Sequence, residues 1–275
     1  MHFSARTLFY ISICLLFASC NGYQKLLKSS DVNNKLTKAN DYYTKKQWAK
    51  AQELYENVMP VMKNTRNYEP LFYRYAYTFY YMKDYLTASY RFKNFVEYFP
   101  NSPDAEECEY MEGLSLYKYS PKYQLDQTNT SKAMEVLQTF SNMHPKSKYT
   151  PDANAYIAEC NYKLEEKQAD AAKLYYNLGP YRPEYYRAAY VAYKSVMANF
   201  PESVNGDLYQ LMIIRSMYYF ARVSIKEKQE ERFNNAIAAY HQLLDNYPKS
   251  KYLHDAEKIY TLADNNVKKI RNEHK

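Results

Sequence analysis

The chain has 275 residues, enough for one or two domains with a substantial core, and its 47% hydrophobic content argues against a disordered chain. With 35 Tyr and only 4 Gly, it is poorly suited to Gly-rich phosphate loops or to folds built on many tight β-turns; helices joined by Pro-containing turns suit it better. The formal charge of +7, from 37 basic and 30 acidic residues, is spread along the chain without a run of like charges. It reads as a solvated surface and not as a nucleic-acid stripe.

The first element is MHFSARTLFYISICLLFASC. A basic residue, Arg6, precedes an apolar stretch from Leu8 to Phe17, and Ala18 and Ser19 follow. The stretch is too short to span a bilayer, which takes about 20 apolar residues, but it suits a signal peptide covering residues 1–19. The Cys after the small pair resembles a bacterial lipobox. That resemblance implies that Cys20 becomes the acylated N-terminus, with residues 20–31 as a tether. Several acyl chains anchor stably, because each buried CH₂ is worth about 0.8 kcal/mol. The lipobox usually places Leu three residues before the Cys; here Phe17 stands there and Leu16 one earlier. By the same resemblance, Asn21 in place of Asp favours the outer membrane. Cys108 and Cys160 have no Cys or His at metal-ligand spacing and read as small buried hydrophobes.

A turn then recurs: FPNSPDAEE from Phe99, HPKSKYTPDA from His144, FPESVNGDL from Phe200 and YPKSKYLHDAE from Tyr247. Twelve residues before each Pro stands an Ala (Ala88, Ala133, Ala189, Ala236). Four residues after each Ala comes a bulky side chain: Phe92, Leu137, Tyr193 and Tyr240. Small and large residues at i, i+4 share one helical face, and the Pro stops the helix. The next helix is expected to start at once, with Ser102 or Thr150 as cap and Pro103 or Pro151 at the first helical position. Ala39 and Ala51, like Ala76 and Ala88, are also twelve apart, with Tyr42 matching Phe79, Trp48 matching Tyr85 and Tyr55 matching Phe92.

This pattern resembles the tetratricopeptide repeat. The third unit carries Gly113 and Ala133 and the fifth Ser216 and Ala236, each with an eight-residue insertion. The fourth reads as one long helix before the break at Pro180–Pro183. The expected fold is all-α: a right-handed α-α superhelix, or solenoid, of about five tetratricopeptide-like helix pairs plus a closing helix near Tyr252–Ile270.

No nucleotide-binding, zinc-protease or nucleophile-elbow motif is present, the five His are scattered, and no carboxylate pair stands out. The chain therefore reads as a non-enzyme without a metal or a cofactor. The excess tyrosine is what remains. The repeat resemblance places Tyr73, Tyr77, Tyr80 and Tyr81, with Asn40 and Tyr43 from the first repeat, at positions that face the groove. There Tyr offers large amphipathic contact area at low entropy cost, and Asn40 offers hydrogen bonds to a peptide backbone. The bland alternative is that these rings pack between helices.

A lipobox, a short tether and about five such repeats together resemble the BamD family of outer-membrane β-barrel assembly lipoproteins. The insertion after Met111, Gly113 and Leu114, and the HPKSKYTPDA turn, agree with it. The resemblance implies an outer-membrane protein assembly factor, lipid-anchored on the periplasmic face. Its N-terminal repeats, 32–147, would receive C-terminal segments of unfolded outer-membrane proteins, and its C-terminal repeats and closing helix, 148–275, would dock a BamA-like barrel subunit. The alternatives are another periplasmic adaptor of the cell envelope and a surface glycan-binding lipoprotein.

Overall fold

The structure, a computed structural model, describes residues 22–273. The expected signal peptide and Cys20 lie outside them. The described residues form helices and turns, with no strand. After a helical stretch over residues 22–28 come α1 (Val32–Thr44), α2 (Trp48–Met62), α3 (Tyr68–Tyr81), α4 (Tyr85–Tyr98), α5 (Ala105–Tyr119) and α6 (Thr128–Met143). These are followed by α7 (Thr150–Leu178), α8 (Glu184–Asn199), α9 (Gly206–Arg222), α10 (Lys226–Asn246) and α11 (Leu253–Glu273). The helix pairs, the long fourth-unit helix and the closing helix all stand where the repeat spacing puts them.

The chain divides into two compact units. Of the described residues, the first contains 22–121 and 126–160 and the second 122–125 and 161–273, so α7 contributes to both. In the first, α1 to α6 pack sequentially, each helix on the next. Its core contains the repeat residues Ala39, Ala51, Tyr55, Ala76, Ala88 and Phe92, none with exposed surface. In the second, α8 packs on α9, α9 on α10 and α10 on α11, around Tyr193, Ile214, Leu243 and Ala256. Helices joined in sequence by short turns are the tetratricopeptide arrangement. Cys108 and Cys160 have no exposed surface.

The recurring Pro turn has one geometry at all four sites. The residue before Pro (Phe99, His144, Phe200 or Tyr247) has φ between −122° and −134°, the extended range that a following Pro imposes. The Ser two residues after the Pro then does two things. Its Oγ accepts from the backbone N–H two residues on, at 3.0–3.1 Å for Ser102, Ser147, Ser203 and Ser250. Its hydroxyl donates to a carboxylate on the first helix of the same pair: Ser102 to Glu69, Ser147 to Glu106, Ser203 to Glu165 and Ser250 to Asp207, at 2.5–2.7 Å. Each turn is thereby fastened to the first helix of its own hairpin, at its second residue for Glu69, Glu106 and Asp207 and midway along the long α7 for Glu165. This corrects the capping expectation: α5 begins at Ala105, past Pro103, and the Ser organises the turn instead of capping the helix. At the second site that role belongs to Ser147, while the Thr150 hydroxyl donates to the His144 carbonyl.

The turns inside the first two hairpins also match. Gln47 N–H reaches the Tyr42 carbonyl and Lys46 N–H that of Tyr43; Asp84 and Lys83 do the same with Phe79 and Tyr80. These are Schellman closures, with Lys46 at φ 57° and Lys83 at φ 65° in the left-handed position usually taken by Gly. The inserted residues of the third unit lie in the connection over 120–127. Those of the fifth instead lengthen α10 to 21 residues, against 14 in α4.

Candidate functional site

The six residues selected from the groove positions all lie in the first unit, on α1 and α3, and the structure sorts them into three environments. Tyr73 and Tyr77 turn toward α5. The Tyr73 hydroxyl donates to Glu107 Oε1 at 2.7 Å, the Tyr77 hydroxyl donates to the same oxygen, and Tyr149 donates to Oε2 at 2.6 Å. Tyr77 is only 8% exposed and meets Phe92 edge-on at 5.0 Å. Burial, and then the hydrogen bond to Glu107, push both phenols well above their ordinary range. Burial alone would raise the Glu107 carboxyl, but the hydroxyls of Tyr149, Tyr77 and Tyr73 outweigh it and hold the group below its usual value. These two tyrosines fasten α3 to α5.

Tyr43 and Tyr81 form a more open aromatic wall with Trp48. Tyr81 is 44% exposed and stacks on Trp48, with centroids 4.3 Å apart and ring planes at 22°. Tyr43 meets Trp48 edge-on at 5.2 Å and Tyr81 at 6.4 Å. Tyr80 is half-buried beside Tyr81 and Tyr85. Such rings present apolar faces together with hydroxyls, a surface that accepts alternating apolar and polar groups without demanding one sequence.

Asn40 takes a third role. Its Oδ1 accepts from the Tyr55 hydroxyl at 2.8 Å and from Arg74 Nη1 at 2.7 Å. The spacing argument missed Arg74, Trp48 as a wall residue, and the anchors Glu107 and Tyr149. Arg74 had a usable signal, since it lies three residues before Tyr77 and so shares its helical face. Glu107 and Tyr149 had none, being separated from Tyr77 by 30 and 72 positions with no pattern linking them.

A second concavity of the first unit is a cleft of about 750 Å³ between α4, α5 and α6, with Glu112 on its wall. Burial, with Glu97 and Glu109 adding to it and Lys93 opposing, pushes the Glu112 carboxyl up to about 7. Its charged form is thus disfavoured by folding. The penalty is absent at pH 4, grows as pH rises through the free-glutamate range and is complete above 7. Glu112→Gln is therefore expected to stabilise the protein by about 1–2 kcal/mol at pH 8 and to leave it unchanged at pH 4, read from urea unfolding at the two pH values.

The second unit has a cleft of about 430 Å³ whose lining includes Tyr176, Tyr193, Tyr209, Met212, Glu166 and Asp170. Among the described residues, no group of His, Cys, Asp and Glu could hold a metal ion, and no helix is long and apolar enough to cross a membrane.

Comparison with known proteins agrees with the repeat architecture and extends it. Residues 29–205 match the family YfiO, described as outer membrane lipoprotein, and residues 215–250 match a tetratricopeptide repeat family. A curated Aquifex aeolicus protein, provisionally named outer membrane protein assembly factor BamD, is 27% identical over 149 residues. The match covers 54% of this chain and 47% of that protein, so the chain spans about half the length of this relative. Among solved structures, the TPR2AB domain of yeast Sti1 in its complex with pHSP90 superposes with a TM-score of 0.40 at 13% identity, over 86% of this chain and 99% of that one. The first match extends from just before α1 to the turn after α8, well over half of the sequence; the chain belongs to the outer membrane lipoprotein family YfiO.

Proposed function

We propose that this protein is an outer-membrane protein assembly factor: a scaffold anchored to the periplasmic face of the outer membrane by lipid on Cys20. In this reading the helical pairs of residues 32–147 hold an extended C-terminal segment of an unfolded outer-membrane β-barrel protein. The helices of residues 148–275 dock a BamA-like barrel subunit. The observation that carries the reading is the family match joined to the aromatic wall of Tyr43, Trp48 and Tyr81. An unfolded barrel strand has unpaired backbone groups and alternating apolar side chains. A wall of rings with polar edges suits that pattern.

The test is to solubilise the outer membrane gently, capture the protein, and place a photocrosslinker at position 81. A barrel assembly subunit among the captured proteins, and crosslinks to outer-membrane protein C-terminal segments, are expected. Capture without either partner, or retention on a polysaccharide column, would move the protein to an envelope adaptor or a glycan binder. Cys20→Ala is expected to shift the protein from the membrane to the soluble fraction, by loss of acyl chains worth about 0.8 kcal/mol per buried CH₂. Unchanged membrane retention would remove the lipid anchor from the proposal.

A further inference from the structure

We infer that the first described residues form a membrane-contact face: the hollow lined by Lys25, Lys28 and Lys38 takes the phosphates of anionic phospholipid headgroups and holds the first unit against the bilayer. The inference rests on the proposed lipid anchor at Cys20. It adds an electrostatic contact that sets how the folded chain meets the membrane.

The residues expected to form a tether are docked on the fold. Over residues 22–28 the chain is helical. Tyr23 meets Tyr42 of α1 edge-on at 5.7 Å, its hydroxyl donates to Glu53 of α2 at 2.7 Å, and Leu26 and Leu27 pack against the core of the first unit. Cys20 stands two residues before Gly22, so their Cα atoms are no more than about 7 Å apart. Gly22 itself lines a hollow of about 1010 Å³, together with Lys25, Lys28 and Lys38. Acyl chains on Cys20 therefore bring the rim of that hollow within about one Debye length of the headgroups, about 8 Å at physiological salt.

The chemistry of the hollow suits phosphate. Three ammonium groups line it, no carboxylate does, and Ser29, Ser30 and Asn34 add neutral polar groups. Lys25 and Lys28 are exposed and meet no carboxylate among the described residues. Lys38 pairs with Asp41 at 3.4 Å, an exposed contact that uses one of its three donors. The charge surplus of the chain, which shows no run of like charges, is concentrated here. Residues 22–50 hold seven Lys and two Asp, whereas residues 51–275 hold 29 basic and 28 acidic residues. Lys25 and Lys28 are three apart, so they share a helical face without being neighbours in sequence.

Proximity selects a headgroup over a free phosphate ester. Exposed lysines hold a small anion in solution weakly, but the anchor presents headgroups to this hollow at high effective concentration. Ammonium groups act as point charges on flexible stems, which suits phosphates whose positions vary from one lipid to the next.

The test uses the mature chain from residue 20 carrying Cys20→Ala, so that no acyl chain contributes. It is sedimented with vesicles of phosphatidylcholine alone, and with vesicles in which about a third of the lipid is phosphatidylglycerol. At low salt, binding to the anionic vesicles is expected to be about ten-fold stronger, and the difference should vanish near 1 M salt, where the Debye length is about 3 Å. Replacing Lys25, Lys28 and Lys38 together by Gln should abolish the preference, and replacing all three by Arg should keep it. Lys45→Gln with Lys46→Gln removes charge at the far end of α1, about 16 Å along the axis from Asn34, and should change binding less than two-fold. Equal binding of the unaltered lysine set to both kinds of vesicle would overturn the inference. A loss in the Lys45 and Lys46 variant as large as in the triple variant would replace the hollow with diffuse attraction and overturn it as well. Release from the vesicles by millimolar glycerol phosphate, at matched ionic strength, would make the hollow a site for a free phosphate ester and overturn the lipid assignment. The anchor itself is judged separately, by the membrane retention of the Cys20→Ala protein in cells, so failure of either leaves the other readable.

Discussion

Glu107→Ala will destabilise the protein by about 2–4 kcal/mol, because it leaves three tyrosine hydroxyls without their shared acceptor. Tyr73, Tyr77 and Tyr149 all donate to this one carboxylate, from α3 and from the turn before α7. Tyr77 decides the size of the effect. It is 8% exposed, so its hydroxyl cannot simply exchange Glu107 for water, whereas Tyr73 and Tyr149 are half-buried and can. Tyr77→Phe in the Glu107→Ala background should then cost almost nothing further, since the unpaired hydroxyl is gone. A double-mutant cycle on the pair should show coupling of about 1–2 kcal/mol. The effect also depends on pH. The folded Glu107 carboxyl lies below its free value, so its contribution is present above the free-glutamate range and is lost as pH falls through the folded value. Urea unfolding of the two proteins should therefore converge in acid. An unchanged midpoint at pH 7 would mean that the tyrosines are held by packing alone.

That prediction marks the limit of what the residues alone disclose. Local rules were legible because they act over a helical turn or a repeat. The Ala–bulky pair fixed the buried face of each second helix, and the Pro fixed where it stops. The long α7 followed from an uninterrupted helix-forming run ending before Pro180. The Ser–carboxylate ties were not read, although both partners recur, because the acid stands 33 to 43 positions upstream and no short spacing joins them. The site divides the same way. Periodicity brought Tyr73, Tyr77, Tyr80 and Tyr81 onto one helix, but it could not say which hydroxyls a neighbouring helix would claim. Glu107 claims two of them, and that leaves Tyr81, with Tyr43 and Trp48, as the open surface. Both αL lysines were also hidden: Lys46 and Lys83 stand where Gly is the usual sign of a helix end.

Phe92→Ala should cost about 3–5 kcal/mol, the range for truncating a fully buried Phe whose site cannot collapse. Phe92 has no exposed surface and stands four residues after Ala88, which has none either. Ala88 is small so that a neighbouring helix can approach, and Phe92 fills the space that approach leaves. Its ring meets Tyr77 edge-on at 5.0 Å, so the truncation also removes a favourable aromatic pair. The cavity would open beneath the α3–α5 tie, and Tyr77 would lose its packing while keeping its hydrogen bond. Phe92→Leu, which keeps most of the volume, should cost only about 1–1.5 kcal/mol. Tyr90→Ala, on the same helix but 58% exposed, should stay within about 0.5 kcal/mol of the unaltered protein. Denaturant unfolding of the three variants separates two causes of the repeat pattern. If the pattern exists to build a core, the costs rank by burial, with Phe92→Ala far ahead. Equal small costs for Phe92→Ala and Tyr90→Ala would show that the Ala–bulky spacing does not carry the packing of these helix pairs.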